Sequence, residues 1–145
     1  MSFQTQGTDI TLLAGADLSS SQFRAVTVNS SGRVVAATAG QHAIGVLQNA
    51  PTSGQAATIR VGGVSKFAAG AAITLQNGGR LVASDATGRA VAATAATVNT
   101  SDAGAAADAV VGSNVLGIAL EAAGAAGVVI AVLLTHSGAV PTTVA

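Results

Sequence analysis

Residues 24–39 read RAVTVNSSGRVVAATA, and residues 80–95 read RLVASDATGRAVAATA. Displaced by 56 positions, nine of the sixteen are identical: Arg24/Arg80, Val26/Val82, Gly32/Gly88, Arg33/Arg89, Val35/Val91, Ala36/Ala92, Ala37/Ala93, Thr38/Thr94 and Ala39/Ala95. In each copy a short run rich in Val and Ala meets a polar turn ending in glycine, then a second such run. That is the pattern of two strands joined as a hairpin. The chain is built on a duplicated β unit.

Downstream, Ile44-Gly45-Val46 matches Leu116-Gly117-Ile118 at a displacement of 72, and Ile59-Arg60-Val61 is set against Ile130-Ala131-Val132. The growth from 56 to 72 marks a 16-residue insertion in the second copy, between Ala95 and Leu116. The first copy predicts strands at residues 23–29, 33–38, 43–48 and 56–61. The second predicts strands at 73–75, 80–84, 89–94, 115–120 and 128–134, with the hairpin turn Asn77-Gly78-Gly79 inside it. Turn signals near every ten residues without sustained helical periodicity predict an all-β fold, a compact barrel or sandwich of two sequence-related halves. The expected organisation is an N-terminal arm and first strand in residues 1–22 and a single β domain in 23–140. That domain holds repeats at 23–67 and 73–136 and a long loop insertion at 96–114; a tail follows at 141–145. Within the insertion, Asp102 is a candidate helix cap.

Composition narrows the function. Of 145 residues 50% are hydrophobic and 8% charged, against about 25% charged in an average soluble domain. This excludes a solvated disordered chain. Six cationic and six acidic side chains give a net charge of zero, leaving no excess to attract nucleic acid or acidic lipid. The apolar half is mostly small: 34 Ala and 18 Gly, with Phe3, Phe23 and Phe67 as the aromatic residues. Alanine gains little on burial, so one chain alone builds a thin core. So few charges cover a free surface poorly, and zero net charge favours association. A subunit that buries its exterior against neighbours is expected.

Residues 116–134, LGIALEAAGAAGVVIAVLL, are long and apolar enough to invite a membrane reading. Against it, Glu121 would cost up to about 3 kcal/mol inside a bilayer, and no Lys or Arg flanks the run. The first-copy counterpart contains Pro51 and Arg60. The run is therefore read as two strands around a turn at 121–126, and no membrane partner is expected.

No catalytic constellation stands out. Gly63-Val64-Ser65-Lys66-Phe67 lacks the final glycine of a hydrolase elbow. His42 and His136 have no second ligand at local spacing. There is no Cys and no phosphate-binding glycine loop. The dispersed Arg24, Arg33, Arg60, Lys66, Arg80 and Arg89 lack the interleaved Tyr and Trp of a nucleic-acid surface. The expectation is a non-enzyme with no catalytic, cofactor or metal residues. Arg33 and Arg89, each after a turn glycine, read as solvated turn residues, with pairing to Asp17 or Asp85 as the alternative.

The blocks SGRVVAATA (31–39), AIGVLQNAP (43–51), VGGVSK (61–66), GRAVAA (88–93) and LGIALEA (116–122) together resemble the capsid cement, or head decoration, proteins of tailed phages. The likeness runs from about Phe23 to Leu134 and departs at the second-copy insertion. It implies a non-enzymatic virion protein, made in the host cytoplasm, that assembles commonly as a homotrimer on the outer surface of a head and bridges major capsid proteins. Candidate capsid or subunit contacts are the arm residues Met1, Ser2, Phe3 and Gln4, the aromatic residues Phe23 and Phe67, and Asp102 of the insertion. The alternative is a virion-surface module that recognises host glycans, which three Phe without Trp or Tyr serve poorly.

Overall fold

The computed structural model describes residues 7–94 and 113–136. Over these residues the chain is all-β, with strands β1 (Gly7–Leu13), β2 (Ala25–Val28), β3 (Val34–Ala36), β4 (Gly45–Leu47), β5 (Ala56–Ala68), β6 (Arg80–Ser84), β7 (Ala90–Ala92), β8 (Gly117–Ala119) and β9 (Val129–Leu134). They form one strongly curled antiparallel sheet in the order β3-β2-β4-β5-β9-β8-β6-β7, with β1 also paired to β5. Read from either end, that order repeats the same connectivity.

The repeat holds residue by residue. Val26 faces Ala36 and Val28 faces Val34 in the first half; Val82 faces Ala92 and Ser84 faces Ala90 in the second. Val26 faces Gly45 as Val82 faces Gly117. The two hairpin turns share one device, a side-chain oxygen at the first residue capping the N–H groups that follow. Asn29 Oδ1 accepts from the N–H groups of Ser31 and Arg33, each at 3.0 Å. Asp85 Oδ1 accepts from those of Thr87 at 2.8 Å and Arg89 at 2.9 Å. The turn that follows β4 and β8 is stapled likewise: Asn49 Oδ1 accepts from Thr58 N–H at 2.9 Å, and Glu121 Oε2 from Ala131 N–H at 2.8 Å. Residues 116–134 are thus β8, a turn and β9, as the repeat predicts.

The last strand of each unit pairs two residues away from where the sequence alignment puts it. Leu47 faces Ile59 and Val46 faces Arg60, whereas Ala119 faces Val132 and Ile118 faces Leu133. Ile59 is therefore equivalent to Val132, not to Ile130. A two-residue slip leaves every side chain on its original face, so the apolar pattern is blind to it. What fixes the register is a backbone contact. A Cβ on Gly45 would run into the carbonyl of Arg60 and lie 2.8 Å from Ile59 Cγ2, and one on Gly117 would meet the carbonyl of Leu133 and lie 2.8 Å from Val132 Cγ1.

The duplication also reaches further upstream than the sequence match. Strand β5 does not stop at Val61 but continues to Ala68, and its two halves serve different units. Leu12 faces Ala57 and Ile10 faces Ile59 along β1; Phe67 faces Ile130 and Ser65 faces Val132 along the second half of β5. The second half of β5 thus opens the second unit as β1 opens the first. Each unit then closes on itself through a single parallel bridge, Ala14 to Val34 and Ala69 to Ala90. Two small barrel-like curls share one long strand. Residues 73–75, expected as a strand, contribute an isolated bridge from Ile73 to Ala123.

Two cores follow. The first gathers Ala14, Leu18, Val26, Val34, Leu47, Ala57 and Ile59, with Leu12 against them. The second holds their equivalents Ala69, Ile73, Val82, Ala90, Ala119, Ile130, Val132 and Phe67. Size is traded between the copies: Leu47 against Ala119, Ala57 against Ile130, Leu12 against Phe67. With so much alanine, each unit depends on a few large side chains, placed differently to fill the same volume.

Candidate interaction surface

Phe67, a contact candidate from sequence, is fully buried. It lies on the inward face of β5 opposite Ile130, because the second unit needs one large side chain among its alanines. Its side chain therefore faces the chain's own core. Phe23 is half-buried, and the Lys66 ammonium lies 5.7 Å from its ring centroid, within cation–π range. Phe23 adopts a left-handed φ of 60° where its equivalent Gly79 has 86°. That conformation costs a non-glycine residue about 1–2 kcal/mol. It is held by Phe23 N–H donating to Leu47 O at 2.8 Å and its carbonyl accepting from Ala68 N–H at 2.7 Å. Met1, Ser2, Phe3, Gln4 and Asp102 lie outside the described residues.

The two units meet along a junction of backbone contacts. The turn 85–89 of the second unit rests on the start of β2 in the first: Ala25 N–H donates to Gly88 O at 2.6 Å, and a Cβ on Gly88 would lie 2.7 Å from Ala25 O. Gly40 N–H donates to Ser84 O at 2.9 Å, and Asn114 Nδ2 donates to Gly40 O at 2.9 Å. Ala25, Ala37, Ala43 and Val46 of the first unit are buried in the second unit's core cluster. Alanine and glycine dominate here because strands and turns approach too closely for larger side chains.

Between the units, β5 passes through Gly62-Gly63, with Gly63 at φ 81°. Opposite it, β1 shifts register between Thr8 and Asp9, a bulge that bends the strand. The buried guanidinium of Arg60 closes this bend. Its Nε donates to Asp9 Oδ1 at 2.7 Å, its Nη2 to Asp9 Oδ2 at 3.1 Å, and its Nη1 to Val64 O at 3.1 Å. These bonds hold the Asp9 carboxyl below its ordinary value. In the second unit the equivalent cross-strand pair is Val64 and Leu133, so this paired charge belongs to the junction rather than to the repeat.

Several of the other polar residues have structural partners. Arg89 Nε pairs with Asp85 Oδ2 at 3.0 Å, the alternative weighed for the turn arginines; in the first unit Asn29 stands at the carboxylate's place. Burial alone would raise the Asp85 carboxyl, but N–H bonds from Arg89 and Thr87, the Thr87 hydroxyl and the Arg89 charge together lower it. Asp17 accepts from Ser19 N–H at 3.0 Å and is also lowered, by its bonds to Ser19. Ser65 is buried, donating to Lys66 O and accepting from Gln48 Nε2. His136 is half-buried with Nε2 bonded to Val61 O, and His42 is exposed. Among the described residues, no three His, Cys, Asp or Glu groups gather where they could hold a metal ion. No described helix is long and apolar enough to cross a membrane.

What the exterior does offer is apolar area: Ile10, Leu13, Val28, Leu75, Leu81, Leu120, Val128, Val129 and Leu133 are exposed. Sequence reasoning reached the poverty of charge but not these positions, since exposure depends on which copy of a repeated residue is covered. No protein family and no curated protein matches the sequence. Among solved structures, the chain is similar to the N base of the head fiber gp8.5 of bacteriophage phi29. The TM-score is 0.58 at 16% identity, over 92% of this chain and 98% of that one. The chain therefore shares its fold, along almost its whole length, with a domain of a phage head fiber.

Proposed function

We propose that this chain is a non-enzymatic structural protein of a phage virion. In this reading it binds the outer surface of the head, bridges major capsid proteins and stabilises the shell. The observation that carries it is the fold shared with a phage head-fiber base over nearly the full length of both chains. Two features support it independently. The ordered sequence blocks resemble head decoration proteins, and the exterior combines few charges with several exposed large aliphatic side chains. A capsid repeats one binding site many times, so modest contacts per subunit become strong when subunits are joined. The protein is taken to act as a homotrimer with the major capsid protein as partner, without cofactor, nucleic acid or membrane, after synthesis in the host cytoplasm. Residues 1–6, ahead of β1, serve as an arm along the capsid or a neighbouring subunit, with Phe3 as apolar anchor.

Co-sedimentation with heads assembled from the phage's own major capsid protein tests this. Saturable binding at a fixed number of copies per head is expected, with no binding to heads already decorated. Deleting residues 1–6 is expected to lower the affinity for heads at least about tenfold while the fold survives. Unchanged occupancy would remove the arm from the mechanism, and absence of saturable binding would overturn the function.

A further inference from the structure

Among the described residues, the junction between the units uses each of its two surfaces once and leaves each once more unused. In the chain, the second unit offers a projecting face, Ala68 with the turn 85–89, and the first unit offers the receiving face, Phe23 to Ala25 with Val46 behind. Because the units are equivalent, the first also carries a projecting face and the second a receiving face. The projecting face is Leu13, Val28 and the turn ending in Gly32; the receiving face is Gly79, Leu81 and Ile118.

Exposure separates the used copy from the free one. Ala25 is fully buried, whereas its equivalent Leu81 is 37% exposed; Ser84 is buried, whereas its equivalent Val28 is 41% exposed. Leu13, equivalent to the half-buried Ala68, is 50% exposed. A Cβ on Gly88 would strike Ala25 O, but one on Gly32 meets nothing within 4 Å among the described residues. Gly32 nonetheless keeps the left-handed φ of 71° that gives its turn the shape of the docked one. The free faces are also more aliphatic than the used ones, as suits a contact made without a covalent tether.

We infer that copies of this chain associate head to tail, the Gly32 turn of one seating on the Gly79–Leu81 face of the next and repeating between chains the junction made within each. The two faces differ, so the contact is heterologous and propagates until it closes as a ring. In the homotrimer proposed above, whose number of copies this step takes from that reading, three chains place six equivalent units around one axis.

The native chain has no cysteine, which makes cross-linking direct. Within the chain Arg24 Nη1 donates to Thr87 O at 3.5 Å, so these two residues are neighbours across the junction. The equivalent pair between copies is Ser31 with Arg80. With a short bismaleimide cross-linker the double variant Ser31→Cys, Arg80→Cys is expected to give a covalent ladder ending at the trimer. Thr87→Cys, Arg24→Cys is expected to link within one chain and serves as the geometric control. Leu81→Glu, with circular dichroism to check that the unit stays folded, is expected to raise the dissociation constant of the assembly at least about tenfold. A chain of monomer mass at all concentrations overturns the inference, as does failure of the Ser31/Arg80 pair to link while the control links. Either result would mean that the receiving face is not a contact between copies. All readings are made without heads. An assembling protein that ignores heads sinks the capsid role alone, and a head-binding monomer sinks this contact alone.

Discussion

Gly45 and Gly117 stand at equivalent points where β4 and β8 pass a neighbouring carbonyl too closely for a side chain. The obstruction is backbone, which cannot rotate away, so alanine at either position is an overpacking change worth about 1–3 kcal/mol. Gly45→Ala and Gly117→Ala are each expected to lower Tm by roughly 3–10 °C, and a melt within a degree of wild type would refute the close approach. The turn residues make a second comparison. Asn29 caps its turn with an amide oxygen and Asp85 with a carboxylate, so Asp85→Asn keeps the cap and loses the bond to Arg89. That half-exposed pair contributes at most about 1 kcal/mol. Asp85→Ala removes the cap as well and is expected to cost about 1–2 kcal/mol more. Equal losses in the two variants, read from denaturant midpoints, would show that the cap contributes nothing.

Strand β5 is the element that joins the units, and its bend is closed by Asp9 and Arg60. Arg60 holds the Asp9 carboxyl below its usual 3.8, and Asp85 is held low by its turn. For a carboxyl lowered in the folded state, the stabilisation is complete above the unfolded value and is lost as pH falls through the folded one. The protein is therefore expected to be insensitive to pH from 5 to 7 on this count, and to lose stability below about pH 4. Asp9→Asn should flatten that acid limb, and a limb of unchanged slope would exclude the pair from it. Much of this was legible in advance: the strand at 56–61 and the Val- and Ala-rich hairpins follow from period and repeat, while the insertion expected at 96–114 lies almost wholly outside the described residues. The continuation of β5 through Gly62-Gly63 was not legible, because paired glycines ordinarily signal a break, and here they bend a strand that tertiary pairing to β9 keeps extended. The slip at Ile59 escaped for the related reason that two residues restore the same face.

At the scale of the whole molecule, duplication explains both what folds and what is left over. Two units with alanine-rich cores support each other by docking the 85–89 turn on β2, and among the described residues the same docking leaves one unpartnered copy of each face. The sequence carried the duplication plainly in residues 24–39 and 80–95, and carried the shortage of charge. It misplaced Phe67, since a repeat in alanine gives no sign of which position takes the large side chain that fills the core. The most direct test of a head-stabilising role is the temperature at which filled heads release DNA, measured without the protein and at saturation. A protein that bridges capsid subunits raises that temperature, and raises it less when residues 1–6 are removed. Release at the same temperature with every site filled would contradict the role, whatever the protein's affinity for the head.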